Sequence, residues 1–274
     1  MSSVIAIYRD ACFSPNSVAA DRSIMDATIG RLDQHQVLAI AEHELGEQHR
    51  ADLFLSMGRL PRTIQLLRAR EQQDHALVIN NAAALERFSR RHILQMMQEN
   101  GIPTPPETGE HGYWVKRADA AAQTKADVVF CSDKATIEQT KRNFALRGVE
   151  DVVVGAHVVG DLIKFYGVGD SFFWYFYPTD NGHSKFGNEK RNGIAQHFGF
   201  NLPELRAAAT RLARLTGIDV YGGDCIVDRE GRFSIIDFND WPSFSPCREQ
   251  AADAISLFVN QLLAAQNNSQ QKNG

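Results

Sequence analysis

Short apolar runs alternate with amphipathic segments through the first third of the chain. The amphipathic segments span about 17–32 and 61–71, and the second carries Pro61 near its start, where a helix tolerates proline. Strands that alternate with helices predict an open, mostly parallel α/β layer, which we place in a lobe at residues 1–88. The apolar runs that predict its buried strands are 4–8, 37–40, 52–57 and 76–80.

Polar residues follow the carboxyl ends of these predicted strands. Ligands of open parallel sheets bind just outside those ends, so the residues there are natural candidates to face a substrate. They are Arg9, Asp10, Asn16, Met57, Gly58, Arg59, Asn80 and Asn81.

A second unit is predicted at residues 89–158. It begins with a helical region that ends at Gly101, a residue type that favours helix C-termini. Apolar runs at 113–117 and 128–131 predict short strands, and a helical pattern follows at 133–147. We therefore expect a small α+β lobe here.

A third unit is predicted at residues 159–266. Its aromatic run at 172–177 predicts a core strand, and a helix starts at Asn201, which is a good N-cap residue. A closing helix is predicted at 249–265. The polar tail at 267–274 is expected to be disordered.

The stretch 221–246 carries the most specific chemistry. Two β-rich runs flank the turn residues Asp228-Arg229-Glu230-Gly231, which predicts a β-hairpin. Side chains alternate between the two faces of a strand, so Asp237 and Asn239 share a face.

The length of the turn decides where Asp224 points. A loop of two or four residues keeps Asp224 on the same face as Asp237, whereas an odd loop separates them. We favour the even loops, which bring two carboxylates and the amide of Asn239 to one patch. Three hard oxygen donors suit Mg²⁺, which proteins usually hold with one or two carboxylates together with substrate phosphates. The alternative is an exposed polar face on an ordinary hairpin.

The order of these motifs resembles the ATP-grasp superfamily. A helix leads to G-x-D-x-x-x-D, then a turn, then I-I-D-F-N-x-x-P, which is similar to the metal-binding hairpin of that family. The resemblance implies an ATP-grasp fold behind the N-terminal parallel α/β lobe. It further implies that Asp224, Asp237 and Asn239 bind two Mg²⁺ ions, or Mn²⁺, that bridge the phosphates of ATP.

Matches on the nucleotide side are less specific. The stretch that ends in Gly101-Ile102-Pro103 resembles the opening helix of the family, which implies that Arg90, or alternatively Arg91, contacts ATP. Lys116 resembles the second ATP-contacting lysine of the family. A lysine that merely extends its amine to solvent is the alternative.

The segment around 154–158 resembles the hinge between the two ATP-binding lobes. The resemblance implies that the backbone of Val154, Ala156, His157 and Val158 holds adenine, and Asp161 is a candidate for the ribose. Two features depart from the family pattern. The stretch 118–123 contains no glycine, where the family has a glycine-rich lid over the phosphates, and the usual hinge glutamate is missing.

Basic residues supply the candidates for catalysis. The resemblance places Lys164 near the phosphates or the substrate, and Lys190 and Arg191 lie in the long polar loop, where they suit an anionic group. The implied function is an ATP- and Mg²⁺-dependent carboxylate–amine ligase that forms an acyl phosphate. Two alternatives remain open, namely a kinase for a small molecule such as an inositol phosphate and a non-catalytic ATP-binding protein.

Composition narrows the possible partners. The 274 residues carry a net charge of −4, which argues against a general nucleic-acid binder. No apolar stretch approaches the roughly 18 residues of a membrane span. We expect a cytoplasmic enzyme with small-molecule or peptide substrates, and the oligomeric state stays open. The cysteines are scattered, as expected for a reducing compartment: Cys12, Cys131, Cys225 and Cys247.

Overall fold

The computed structural model describes residues 1–119, 124–180 and 191–272. The first lobe is a sheet of four strands that are all parallel, as the sequence predicts. The strands are β1 (Ser3–Tyr8), β2 (Gln36–Ala41), β3 (Leu53–Ser56) and β4 (Leu77–Ile79). Their order in the sheet is β2-β1-β3-β4. The helices of this lobe are α1 (Val18–Ile29), α2 (Pro61–Gln73) and α3 (Ala82–Glu86).

The second lobe is a three-stranded antiparallel sheet with a helix at each end of its sequence. Its helices are α4 (Arg90–Glu99) and α5 (Lys134–Leu146). Its strands are β5 (Tyr113–Arg117), β6 (Val128–Cys131) and β7 (Val152–Ala156), in the order β6-β5-β7. Val115 and Phe144 are almost fully buried between sheet and α5, so this lobe has its own small core.

The third lobe is built on a four-stranded antiparallel sheet. Its strands are β8 (Asp161–Val168), β9 (Phe172–Phe176), β10 (Val220–Val227) and β11 (Phe233–Asp240), in the order β11-β10-β8-β9. Helix α6 (Leu202–Thr216) packs on one face of this sheet. The side chain of Asn201 accepts a hydrogen bond from the backbone of Glu204, and Gly217 ends α6 with φ of +73°, as the sequence predicts.

The last helix, α7 (Arg248–Lys272), packs against the first lobe. Ala251, Ile255 and Val259 are fully buried in one core with Val4 and Ile24. The end predicted for this helix, at residue 265, was wrong, because the helix continues through most of the segment predicted to be a disordered tail. The extension, residues 266–272, contains three glutamines and a lysine, which favour helix.

Asn80 connects the first lobe to the third. Its side chain accepts a hydrogen bond from the Val220 amide at 2.8 Å and donates one to the Val220 carbonyl at 2.9 Å. Asn80 is fully buried, so it holds the start of β10 in place and does not face a substrate, contrary to the expectation for this strand end.

No helix within 1–119, 124–180 and 191–272 combines the length and the apolar character that crossing a membrane requires.

Asp219 lies between α6 and β10 and gives the fold a measurable pH dependence. Burial, helped by the negative charge of Asp170, raises the pKa of Asp219 to about 6, from an ordinary value of 3.8. Between these two pH values the folded chain keeps a proton that the unfolded chain has lost. The free energy of unfolding therefore falls as the pH rises through this window.

We predict that Asp219→Asn stabilises the protein at pH 7 by up to about 3 kcal/mol, because the amide carries no charge to desolvate. The measurement is chemical denaturation of wild type and variant between pH 3.5 and 8. The two free energies of unfolding should converge below about pH 4. A variant that is equally stable, or less stable, at pH 7 would contradict the buried, unfavourable charge.

Candidate active site

A cavity of about 1030 Å³ lies where the three lobes meet. Its volume is at the upper end of the range for small-molecule sites, roughly 300–1,000 Å³. Each lobe contributes charged groups to its lining. These are Arg9, Asp21 and Arg59 from the first lobe, Arg90, Glu107, Lys116 and Lys125 from the second, and Lys164, Asp224, Asp237 and Asp240 from the third.

The hairpin that carries the acids has an odd loop, contrary to the expectation of an even one. The backbone N–H of Asp228 donates to the Arg232 carbonyl at 2.9 Å, which leaves the three residues 229–231 as the loop, with Gly231 at φ of +79°. A β-bulge then corrects the register. Cys225 pairs with Ile235 but Asp224 pairs with Asp237, so Ile236 is the extra residue. The two carboxylates therefore share a face, as predicted, although the route differs.

A row of charged side chains crosses three strands at this point. Asp224 lies opposite Asp237 on one side and opposite Lys164 on the other. The Lys164 amine is 3.0 Å from Asp224 Oδ1, and the guanidinium of Arg90 is 3.3 Å from both carboxylate oxygens of Asp237. The predicted site residues Arg90, Lys164, Asp224 and Asp237 thus come together.

Lys116 completes this cluster from the second lobe. Its amine donates a hydrogen bond of 2.8 Å to the carbonyl of Ile236, the bulge residue. Burial lowers the pKa of Lys116, and the carboxylate of Asp237 opposes the shift. The second and third lobes are therefore joined at the position where the hairpin departs from regular pairing.

The cluster carries more positive than negative charge. Three cationic side chains, those of Arg90, Lys116 and Lys164, face two carboxylates. Burial alone would raise the pKa of Asp237, but these three cations outweigh it and hold the pKa below the ordinary value. The net charge of about +1 suits a polyanion such as a triphosphate.

Asn239 is the third predicted metal ligand. It follows Asp237 by two residues on β11, lies opposite Gly222, and lines the cavity. Two carboxylates and one amide oxygen on one face are a donor set that fits Mg²⁺. Within the described residues there is no cluster of three His, Cys, Asp or Glu side chains with metal-binding geometry. The two-ion site on Asp224, Asp237 and Asn239 stays a prediction.

The other end of the cavity is lined by aliphatic side chains and suits adenine. The hinge residues Val154, Ala156, His157 and Val158 line it as predicted. However, the N–H groups of Ala156 and His157 already donate to the carbonyls of Pro106 and Gly112, each at 2.8 Å. Neither of these two N–H groups is free for adenine, and the predicted contact of the hinge backbone with adenine stays a prediction. The aliphatic residues at this end include Ile93, Met97, Val153, Leu162 and Ile226.

Asp161 does not face the cavity, so its predicted role at the ribose is wrong. The residue is 3% exposed. Its two carboxylate oxygens accept hydrogen bonds from the backbone N–H groups of Gln196 and Phe198, at 2.7 and 2.8 Å. Asp161 therefore holds the segment that leads to α6 against the start of β8.

The predicted basic residues of the long loop have different outcomes. Lys190 lies outside the described residues. The guanidinium of Arg191 lies 3.4 Å from the centroid of the Phe130 ring, in the second lobe, and Arg191 is not among the residues that line the cavity. The guanidinium keeps its charge in this contact, so the role of Arg191 at an anionic group stays a prediction.

Two other nucleotide-side predictions can be compared with the structure. Arg91 pairs with Asp151 on the surface, so Arg90 is the basic residue of α4 that faces the cavity. The glycine-free stretch expected in place of a lid, 118–123, lies mostly outside the described residues.

Arg9 and Arg59, which the sequence predicts at strand ends that face a substrate, reach the cavity from the first lobe. Both form ion pairs with the buried carboxylate of Asp240, and Arg9 also pairs with Asp21 at 3.0 Å. Burial would raise the pKa of Asp240, but Arg59 and Arg9 outweigh it and lower the pKa. Arg9 further donates to the Trp241 carbonyl at 3.1 Å. These contacts join the first lobe to the loop that follows β11.

Sequence reasoning missed three aromatic residues that line the cavity near Lys164. They are Tyr166, Trp174 and Phe176. The run 172–177 is aromatic at every position. Residue type therefore does not show which side chains lie on which face of the strand. Strand geometry alone would have indicated that the run has two faces in different surroundings.

Neither a protein-family model nor a curated protein matches the sequence significantly. The fold, by contrast, matches many solved structures. The D-alanyl-alanine synthetase A of Vibrio cholerae aligns over 96% of this chain and 98% of its own, at 10% identity and a TM-score of 0.67. The D-alanine–D-alanine ligase of Bacillus anthracis complexed with ATP aligns over the whole of both chains, at 12% identity and a TM-score of 0.63.

A third match comes from Sphaerobacter thermophilus. Its RimK domain ATP-grasp protein aligns over 93% of this chain and 99% of its own, at 15% identity and a TM-score of 0.62. Together these matches show that the chain has the ATP-grasp fold, which confirms the resemblance inferred from the hairpin.

We predict that Asp161→Ala lowers the free energy of unfolding by about 1–3 kcal/mol, because two buried backbone N–H groups lose their acceptor. The dissociation constant for ATP should not change. Denaturant titration and calorimetric ATP binding measure the two quantities. Glu138→Ala, at an exposed carboxylate of α5 paired with Lys141, is the control and should have little effect on either. A specific loss of ATP affinity in Asp161→Ala would restore a role at the ribose.

Proposed function

We propose that this protein is an ATP-dependent carboxylate–amine ligase that acts through an acyl phosphate. The observation that carries the proposal is the charged row of Lys164, Asp224 and Asp237, facing a large cavity beside Arg90 and Lys116. The fold supports it, since the structures named above include enzymes described as ligases. The substrates are a small-molecule or peptide carboxylate and an amine.

The cationic side chains bind and orient the triphosphate. Arg90 and Lys116 approach from the second lobe, and Lys164 approaches from the third. Such groups act mainly by positioning the phosphates and by balancing their charge. Asp224, Asp237 and Asn239 would hold Mg²⁺ or Mn²⁺, which when bound supplies further neutralisation of the β- and γ-phosphates.

Two bond exchanges make up the proposed reaction. An oxygen of the substrate carboxylate attacks the γ-phosphorus of ATP, and the bond to the β-phosphate oxygen breaks, which yields an acyl phosphate and ADP. The amine nitrogen then attacks the acyl carbon, phosphate leaves with the electron pair of the carbon–oxygen bond, and the nitrogen loses a proton. Neither step needs a nucleophile from the protein, in agreement with a cavity that offers mainly charge.

The ion pairs also account for how the acids stay in place before a nucleotide binds. Asp224 rests against Lys164 and Asp237 against Arg90. A triphosphate attracts the same cations, so its arrival releases the carboxylates toward metal ions. The proposed site is thus poised to bind metal and nucleotide together.

The four free cysteines fit a reducing compartment, and we place the enzyme in the cytoplasm.

Hydroxylamine distinguishes the proposed ligase from a kinase. With ATP, Mg²⁺ and a panel of carboxylic acids, we expect hydroxamate to form in step with ADP, because hydroxylamine captures an acyl phosphate. The readouts are the coloured iron–hydroxamate complex and coupled ADP detection. ADP formed together with a stable phosphorylated acceptor would instead identify a small-molecule kinase. ATP binding without turnover across acids, amines and polyol phosphates would identify a non-catalytic protein.

Asp237→Asn tests the role of the charged row. We expect turnover to fall by about 10²–10³-fold, the usual cost of one lost electrostatic contact at a reacting centre, while the fold is retained because the amide keeps the shape of the side chain. ADP formation under saturating ATP is the measurement. Glu230→Gln, which removes a carboxylate at the exposed tip of the same hairpin, is the matched control and should leave the rate unchanged. Equal rates in both variants would remove Asp237 from the site.

A further inference from the structure

The aromatic residues Tyr166, Trp174 and Phe176 form one wall of the cavity, which we call the aromatic wall. All three are half-buried and line the cavity. The planes of Tyr166 and Trp174 differ by 16°, and those of Tyr166 and Phe176 by 18°, with centroids 6.1 Å apart in each pair. Trp174 and Phe176 are tilted by 34° to each other, with centroids 5.3 Å apart. The wall therefore presents three adjacent rings toward the space beside the charged row.

The aromatic strand packs on both of its faces. Tyr166 and Trp174 border the core that α7 shares with the first lobe, and they also line the cavity. Phe173 stacks on Phe165, and Tyr175 contacts Phe200, on the face that α6 covers. Because side chains alternate along a strand, Trp174 and Phe176 point to the other face. Their partly exposed ring surface faces the cavity, where an apolar ligand group would gain by covering it.

The sheet register gives the position of this wall relative to the charged row. Phe176 lies directly opposite Lys164, and Trp174 lies opposite Tyr166, two residues further along. Neighbouring strands are about 4.8 Å apart, and two residues of a strand span about 7 Å. Along the sheet, Lys164 is thus roughly 5–9 Å from the three wall residues and Asp224 roughly 9–12 Å. A substrate that reaches both the charged row and the wall therefore needs only a short chain between its carboxyl group and its ring.

A strained loop encloses the same end of the cavity. Trp241 and Phe244 have φ of +40° and +49°, a region that side-chain-bearing residues rarely adopt. The ring of Phe244 lies 5.2 Å from that of Tyr166, and Pro242, Ser243 and Ser245 line the cavity. Strain of this kind persists where the surrounding structure demands it, and it is concentrated at ligand sites.

Gly222 fits this arrangement. A Cβ at this position would lie 2.9 Å from both Pro242 and the ring of Tyr166. The absence of a side chain lets the loop and the ring close over β10 between the aromatic wall and Asn239. The pocket is thus closely packed on the side that faces the proposed metal ligands.

We propose that the aromatic wall binds an aromatic ring of the carboxylate substrate, so that the enzyme selects acids with a ring close to the carboxyl group. This rests on the proposed ligase function, which places the reacting carboxyl group beside the γ-phosphate that the charged row binds. A wall of three aromatic rings favours an aromatic partner over an aliphatic one, since aromatic pairs gain free energy beyond area burial. The aliphatic end of the cavity, beside the hinge, is left for adenine.

The test compares matched pairs of acids, each in aromatic and saturated form. The probes are 3-phenylpropionate against 3-cyclohexylpropionate and phenylalanine against cyclohexylalanine, with ATP, Mg²⁺ and hydroxylamine. We expect the aromatic member of at least one pair to give the higher kcat/KM, by threefold to tenfold. Calorimetry with a non-hydrolysable ATP analogue measures affinity for the same acids independently of turnover.

Substitutions in the wall should remove this preference. Trp174→Leu and Phe176→Leu are each expected to bring the aromatic-to-saturated ratio close to one and to leave the dissociation constant for ATP unchanged. Phe172→Leu is the matched control, because it lies on the same strand and face but does not line the cavity. It should keep the preference of the wild type. Melting temperatures of all three variants identify any that fail to fold.

The outcomes separate the two proposals. Turnover that prefers saturated or small aliphatic acids, or an aromatic preference that survives both wall substitutions, overturns the aromatic wall while the ligase function stands. Aromatic acids that bind in a wall-dependent way without forming hydroxamate support the wall and overturn the ligase. If the aromatic acids neither bind nor react, the wall has no such role.

Discussion

The charge balance between Asp224, Asp237 and their cationic neighbours is the interaction on which the rest of the structure depends. Two carboxylates side by side in a partly buried row would repel each other and would each be costly to desolvate. Lys164 and Arg90 contact one carboxylate each, and Lys116 adds a third positive charge. The cations hold the pKa of Asp237 below its ordinary value, and their excess positive charge favours the binding of an anion in the cavity. The same groups both stabilise the resting site and bind the proposed phosphates.

The bulge at Ile236 connects this charge balance to the backbone. It turns Asp237 to the face of Asp224 after a three-residue loop that would otherwise have turned it away. Its carbonyl accepts the hydrogen bond from Lys116, which comes from another lobe. One irregular residue thus sets the direction of an acid and fixes a lysine beside it. Bulges near functional sites commonly redirect a side chain in this way.

Much of this arrangement could be predicted from local sequence. Apolar runs indicated the parallel lobe, and the hairpin motif indicated that Asp224 and Asp237 would meet. The bulge could not be predicted. It depends on the energies of strand pairing, and no residue type in the hairpin indicates it. Asp161 was assigned wrongly because its partners, the backbone amides of Gln196 and Phe198, come from a distant part of the chain. The two faces of the aromatic run became distinct only with the sheet register.

The central claim is that the row of acids binds metal together with the phosphates of ATP. Electron paramagnetic resonance of Mn²⁺, titrated into the protein with and without a non-hydrolysable ATP analogue, tests it most directly. The account predicts tight Mn²⁺ binding only when the analogue is present, and its loss in Asp224→Asn. Mn²⁺ affinity that is the same with and without the analogue, or that is unchanged in Asp224→Asn, would contradict the account.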